Sequence, residues 1–221
     1  MINSFDFIPL EYQKLSEAEM LSRSEAFFQQ MNKRRSVREF SDKTFPKEII
    51  ENIIKTASTA PSGANKQPWT FCLISNPEIK KQIRIAAEKE EKESYESRMS
   101  ERWKEDLKHL GTTWEKPFLE KVPYIIVVFK RVFETENNEK TNNYYVNESV
   151  GLAAGMLITA IHNAGLVTLT HTPSPMNFLS TILKRPDNER PFLLLPVGYP
   201  EDNCNVPNIQ RKELNDILIE F

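Results

Sequence analysis

Glycine is scarce in this chain, with 6 residues in 221. The glycine-rich turn that cradles a dinucleotide pyrophosphate needs several at fixed spacing, and no such fingerprint occurs. Cysteine is scarcer still. Cys72 and Cys204 lie far apart, with neither metal-ligand spacing nor a paired framework, which points to a reducing compartment. Cys72 stands in an apolar run and reads as a small core residue. The three histidines, His109, His162 and His171, share no helix face, so metal binding is unsupported. No serine sits in a Gly-x-Ser-x-Gly elbow, so a hydrolytic triad is unsupported too. Neither sign of charge dominates: 29 Lys and Arg stand against 31 Asp and Glu, a net charge of −2. That balance argues against a generic nucleic-acid binder, whose affinity rests on a broad basic surface. No run approaches the roughly 18 apolar residues that cross a bilayer. Residues 1–10 lack the basic head and continuous apolar stretch of a secretory signal. The expectation is a soluble, cytoplasmic protein with no metal, no nucleic-acid partner and no membrane partner, folded as one domain over residues 1–221.

What is present alternates between helix and strand signals. Ser16-Glu17-Ala18-Glu19 has the form of a capping box, followed by Met20, Ser24, Phe27, Phe28 and Met31 at helical spacing. A second helix follows Pro46, with Ile49, Ile50, Ile53, Ile54 and Ala57 on one face, and stops near Ala60 before a proline. Residues 69–74 read as a strand. A third helix starts at Ser75-Asn76-Pro77-Glu78, capped by Ser75 or Asn76. It continues from Glu88 to Lys108 as a charge-dominated stretch with a stop at Gly111, and buries little surface. Such a segment is a solvated face or a lid.

Residues 123–129 form an interior strand, and 131–143 an exposed polar connection. Residues 147–164 form a buried helix ended by Gly165. Strands at 166–172 and 192–198 flank a short helix near 178–183. The tail, 206–221, ends in the strand-like Ile217-Leu218-Ile219. The pattern implies an α+β fold with helices on both faces of one sheet.

Two segments carry candidate chemistry. Arg34-Arg35-Ser36-Val37-Arg38 places three guanidinium groups and a hydroxyl within five residues. Arginine's rigid fork of donors matches phosphate and imide oxygens, and a neighbouring hydroxyl can add a donor. Alone, the run would read as a solvated basic patch. Pro61-Ser62-Gly63-Ala64 leaves a helix ahead of a strand, and Gly63 allows the backbone amides there to turn toward a ligand. Together with Arg211 in the tail, these segments favour a phosphate-bearing cofactor.

These residues, with Thr59-Ala60, Gln67-Pro68-Trp69-Thr70-Phe71, Thr170-His171-Thr172-Pro173 and Leu195-Pro196-Val197-Gly198-Tyr199-Pro200, resemble the iodotyrosine deiodinase branch of the flavin-dependent nitroreductase superfamily. The resemblance runs from Arg34 to Lys212. It implies a nitroreductase-like α+β fold: a mixed, mostly antiparallel sheet flanked by helices, assembled as a domain-swapped homodimer with sites at the subunit interface. It also implies non-covalent FMN, with NAD(P)H as a direct or indirect electron source. Arg34, Ser36 and Arg211 would then hold the phosphate and ribityl chain, with Arg35 and Arg38 toward the pyrimidine. Val37, Pro61, Ser62, Gly63, Thr170 and His171 would complete the cofactor site.

By the same resemblance, Glu91 would meet the ammonium of a halotyrosine, while Tyr95 and Lys116 meet its carboxylate. Glu91 and Tyr95, four residues apart, share one helix face. The backbone N–H of Ala64 would serve the phenolate oxygen, and the hydroxyl of Thr172 the flavin N5, favouring electrons delivered singly. Residues 91–116 would form a lid and 206–221 an extension over the partner subunit. The implied reaction is reductive dehalogenation of halotyrosines in a soluble relative of anchored animal proteins. The alternatives are a general NAD(P)H-dependent nitroreductase or flavin reductase, and a non-catalytic flavin or amino-acid binder.

Overall fold

A computed structural model describes residues 7–136 and 139–221, and two compact units meet at the Arg34–Arg35 bond. The first unit is built on one helix, α1 (Glu17–Asn32). The Ser16 hydroxyl accepts the Glu19 N–H at 3.3 Å, and the Glu19 carboxylate accepts the Ser16 N–H at 2.9 Å. That reciprocal cap satisfies donors that the first turn leaves open. No side chain of α1 is buried.

The second unit holds a four-stranded sheet in the order β1-β2-β6-β5. The strands are β1 (Trp69–Ile74), β2 (Tyr124–Arg131), β5 (Val167–Thr168) and β6 (Glu189–Gly198), paired antiparallel throughout. The mixed character comes from a parallel bridge between Ser36 and Thr168. Successive strand side chains point to opposite faces. Ile126, Val128, Leu193 and Leu195 accordingly pack with α2 (Lys47–Ser58) and α6 (Val146–Asn163). Ile125, Val127, Phe129 and Leu194 face α3 (Pro77–Glu93), α5 (Phe118–Lys121) and α7 (Asn177–Ile182). A continuous apolar run is what a strand covered on both sides requires.

Several local expectations are met. The Asn76 side chain caps α3 by accepting from Glu78 and Ile79, with Pro77 in the first turn. Gly165 takes a φ of +76° behind α6, the left-handed geometry that glycine adopts without penalty.

Five local features differ from expectation. The charged helix is not continuous. After α3 comes a π-turn, Ser94–Arg98, then Met99 in extended conformation, and a new helix, α4 (Glu101–Lys108). Ser100 caps α4 by accepting the Trp103 N–H at 3.2 Å, and a serine offering its oxygen to the backbone competes with helix continuation. The connection after β2 is a hairpin, β3 (Phe133–Glu136) with β4 (Glu139–Asn142). Its strands lack the alternation of apolar and polar residues that marks a half-buried sheet.

Only one face of α6 is buried, and Gly151, Leu152 and Gly155 are exposed. The expected strand at 166–172 shrinks to β5 and a single bridge from His171 to Leu194, because the extended segment after Arg35 occupies part of that edge. Residues 217–219 form no strand; Ile217 and Ile219 are exposed behind a short turn at Leu214–Asp216. No helix among the described residues is long and apolar enough to cross a membrane.

Candidate active site

The edge of the sheet sets the site. Val37 donates its N–H to the Thr168 carbonyl at 3.2 Å, and Phe40 bridges Pro200. Both side chains are core residues, so the backbone between them is pinned. Ser36 and Arg38 are left to face two cavities. One, of about 280 Å³, is lined by Ser36, Arg38, His109, Asn205 and Pro207. The other, of about 260 Å³, is lined by Arg38, Glu91, Tyr95, Lys116, Thr170 and Thr172, among others. Arg38 therefore joins the two. Its guanidinium makes no hydrogen bond or ion pair among the described residues, and burial lowers its pKa, opposed by nearby Tyr95. A half-buried guanidinium is a strong donor to anionic groups. Arg35, by contrast, donates to the Pro207 carbonyl.

The second cavity brings opposite charges together. Glu91, on the last turns of α3, lies 3.5 Å from the Lys116 ammonium, both largely buried. Burial raises the Glu91 carboxyl and lowers the Lys116 ammonium, and the attraction between them offsets each shift only in part. Such a pair is costly unless each charge has further partners, and Lys116 also donates to the Thr113 carbonyl and, at 3.4 Å, to the Thr112 hydroxyl. Burial also raises the Tyr95 phenol, with the Glu91 charge adding to it.

The backbone around this trio is fixed from outside. The Lys116 N–H donates to Glu88 at 2.7 Å, and Arg84 bridges Glu88 and Glu120. The buried Lys80 ammonium donates to the Glu120 and Val122 carbonyls at 3.0 and 2.7 Å. The trio thus stands on a rigid footing, and its own side chains tie the end of the covering segment between Met99 and Thr112: Tyr95 donates to the Thr112 carbonyl at 3.3 Å, and Lys116 to the Thr112 hydroxyl and the Thr113 carbonyl. The π-turn and Gly111, at φ +59°, bound that segment.

Alternation along the 170–172 segment turns the exposed Thr170 and Thr172 one way and the buried His171 the other. Neither threonine hydroxyl has a hydrogen bond among the described residues. The His171 ring meets Glu91, with Nδ1 3.9 Å from the carboxylate, and stands edge-on to Phe118. Burial, then the Lys116 and Arg38 charges, lowers its pKa to about 3. Its side chain therefore belongs with the acid and amine instead of pointing outward with the threonines. Val37 is 4% exposed, with its side chain in the core, so only its backbone is placed to reach a ligand.

Pro61, Ser62, Gly63 and Ala64 line neither cavity. They lie against the start of α6, where Gly63 donates to Ser149 at 3.3 Å, on the sheet face opposite α3. Ala64 (φ +49°), Asn65 (φ +53°) and Gln67 (φ +47°) are all left-handed, an uncommon cluster for non-glycine residues. Gly63, Asn65, Lys66 and Gln67 each have an acceptor for their N–H, whereas the Ala64 N–H has none among the described residues. Arg211 lies exposed in the tail, and Arg34 ends the first unit.

The chain alone thus assembles Ser36, Arg38, Glu91, Tyr95, Lys116, Thr170, His171 and Thr172, and leaves the Ala64 loop apart. Met99, Trp103 and Leu107 also line the second cavity, and sequence reasoning missed them. Their spacing of four was the available signal, obscured by the surrounding charges. Among the described residues no cluster of His, Cys, Asp or Glu could hold a metal.

The donor set suits a flavin mononucleotide. An unpaired guanidinium and a serine hydroxyl face one cavity, unpaired threonine hydroxyls face the next, and the group demanded is anionic and hydrogen-bond rich. The fold agrees: residues 31–199 match the Nitroreductase family, and the chain belongs to that family. Within it, the chain is 57% identical to an iodotyrosine deiodinase of Haliscomenobacter hydrossis, over 97% of each chain. It is 44% identical to iodotyrosine deiodinase 1 of Homo sapiens, over 97% of this chain and 75% of the other. A crystal structure of oxidized iodotyrosine deiodinase bound to FMN and 3-iodo-L-tyrosine superposes with a TM-score of 0.78 at 34% identity, covering 88% of this chain and 98% of that one.

Proposed function

We propose that this protein is an FMN-dependent reductive dehalogenase of halotyrosines. The observation that carries the reading is the buried Glu91–Lys116 pair, joined by Tyr95 in a cavity of about 260 Å³ beside Thr172 and Arg38. An acid and an amine at that spacing complement the ammonium and carboxylate of an amino acid, each exchanging its present partner for a substrate charge. Charge-assisted hydrogen bonds formed away from water contribute on the order of 1.5–3 kcal/mol each. The relatives at 57% and 44% identity share the named activity.

Arg34, Arg35, Ser36, Arg38 and Arg211 hold the cofactor, with the Arg38 charge meeting its electron-rich pyrimidine. When bound, the flavin supplies the two electrons that the reaction consumes. The carbon–halogen bond breaks, halide leaves with the bonding pair, and the ring carbon gains a proton to give tyrosine. Thr172 donates its hydroxyl to the flavin N5. Glu91 holds the substrate ammonium, while Lys116 and Tyr95 hold its carboxylate, and the 91–116 segment closes over them as a lid that excludes water.

The Ala64 N–H serves the phenolate. A halogen beside the hydroxyl acidifies the phenol, so an amide donor favours halotyrosine over tyrosine. Because that amide lies on the far face of its own sheet, it acts in the site of a second copy. The protein is therefore a homodimer, with residues 206–221 reaching over the partner and the exposed face of α6 between copies. Two free cysteines accord with a cytoplasmic location.

The test is anaerobic mixing of the reduced FMN-loaded protein with 3-iodotyrosine. One iodide per flavin, with tyrosine formed, is the expected result. Tight binding with no iodide released would overturn the reading.

A further inference from the structure

His171 is a buried, titratable group lining the site to which the proposed chemistry assigns no role. Its backbone is pinned on both sides, donating to the Leu194 carbonyl at 2.8 Å and accepting from Leu194 at 3.1 Å. Phe118 packs at 6.2 Å in an edge contact that fixes the plane of the ring. Its Nδ1 faces one oxygen of Glu91 at 3.9 Å, while Lys116 faces the other at 3.5 Å. Its Nε2 is buried without a partner. An ionised carboxylate only accepts hydrogen bonds, so the neutral ring carries its proton on Nδ1, toward Glu91.

We propose that His171 is the positioning residue of the amino-acid clamp: a neutral, rigid donor that keeps Glu91 oriented and ionised once Lys116 has turned to the substrate. The inference rests on the assignment of Glu91 and Lys116 to the head of a halotyrosine. Lys116, 3.5 Å away, stabilises the Glu91 charge. When the substrate carboxylate engages Lys116, Glu91 must hold the ammonium without that support, and the His171 N–H is the protein donor left facing it.

Neutrality is essential to the role. A charged ring would compete with the substrate ammonium for Glu91 and repel Lys116 and Arg38. Burial first keeps the ring neutral, and the charges around it add to this: Glu91 comes from α3, Lys116 from the segment before α5, and Arg38 from the sheet edge, so two cations stand against one anion. At 3.9 Å the contact is longer than a hydrogen bond, as is common where a site tightens only on binding.

The test is halotyrosine affinity on FMN-loaded protein, read by quenching of flavin fluorescence. Two ligands are compared: 3-iodotyrosine, and 2-iodophenol, which lacks the amino-acid head. His171→Phe keeps a ring against Phe118 but removes the donor. His171→Gln carries its amide near the Nε2 position, and His171→Asn near Nδ1. The Phe and Gln variants are expected to weaken 3-iodotyrosine at least about tenfold while 2-iodophenol changes less than about threefold. The Asn variant should retain 3-iodotyrosine affinity within about threefold.

Equal losses for both ligands, or an Asn variant as weak as the Gln variant, would reduce His171 to a packing residue and overturn the proposal. The Asn–Gln contrast serves the same purpose if the Phe variant does not fold. Glu91→Gln separates the two levels. If it leaves 3-iodotyrosine affinity unchanged, the clamp itself is wrong. If it weakens binding while the Phe and Gln variants at 171 do not, only the role of His171 falls.

Discussion

Mild acid should destabilise this protein through one imidazole. A histidine in the unfolded chain takes up its proton near 6.5, whereas His171 stays neutral in the fold down to about 3, because burial and the Lys116 and Arg38 charges oppose the cation. Between those values the unfolded chain binds more protons, so this contribution to stability is complete above 6.5 and falls as the pH falls. At about 1.4 kcal/mol per pH unit, lowering the pH from 6.5 to 5 costs about 2 kcal/mol, a sizeable share of a domain's stability.

Glu91 acts in the opposite sense. Its raised pKa makes the fold bind a proton more readily than the unfolded chain, so its contribution to stability is lost as the pH rises from the ordinary carboxylate value through the raised one. Without substrate, Lys116 holds the Glu91 charge in both proteins, so most of the Glu91 contribution cancels when wild type is compared with His171→Phe. Urea unfolding of the cofactor-loaded protein at fixed concentration, measured from pH 7 to 5, should show the wild type losing about 2 kcal/mol more than the variant. Parallel pH profiles would refute the reasoning, since a ring free to charge in the fold has no such linkage.

Four further outcomes are expected. Glu91→Gln should weaken 3-iodotyrosine at least about thirtyfold and leave FMN affinity unchanged, because it removes one charge of a buried pair while the flavin contacts stay intact; isothermal titration with each ligand checks both. The affinity of the clamp should also be confined in pH. It should fall on the acid side while the pH is still above the ordinary carboxylate range, because Glu91 is raised, and on the alkaline side below the ordinary lysine value, because Lys116 is lowered. Titrating 2-iodophenol in parallel removes the contribution of the substrate phenol. Thr172→Ala should slow iodide release in single-turnover mixing without loss of FMN, since its hydroxyl is uncommitted in the fold. Gly63→Ala would place a Cβ 2.9 Å from the Tyr145 ring and 3.0 Å from the Tyr144 carbonyl oxygen. The backbone oxygen cannot yield as a side chain can, so a loss of about 1–3 kcal/mol is expected in urea unfolding.

Much of this protein is written in short-range patterns. Ser16 with Glu19, Asn76 with Pro77, and Gly165 each act within one helical turn, so their outcome is decided by neighbours in sequence. The run from 123 to 129 is apolar on both faces and could only be covered twice, hence an interior strand. The Arg34–Arg38 cluster pointed to an anion only together with the Pro61–Ala64 segment and Arg211, because guanidinium groups alone are equally satisfied by water.

Tertiary structure decided what depends on contacts distant in sequence. The charged helix breaks at Ser100 because a local cap competes with a helix that no packing holds together. His171 turns toward Glu91 because its backbone pairs with Leu194, and a two-residue period then fixes which side of the segment it faces. The Ala64 amide and the Glu91 carboxylate are separated by the thickness of a sheet, although both were expected around one ligand. Residue types and local spacing identify the groups that can bind a substrate. Which of them meet is set by strand pairing and by burial, and neither is encoded within any single turn of chain.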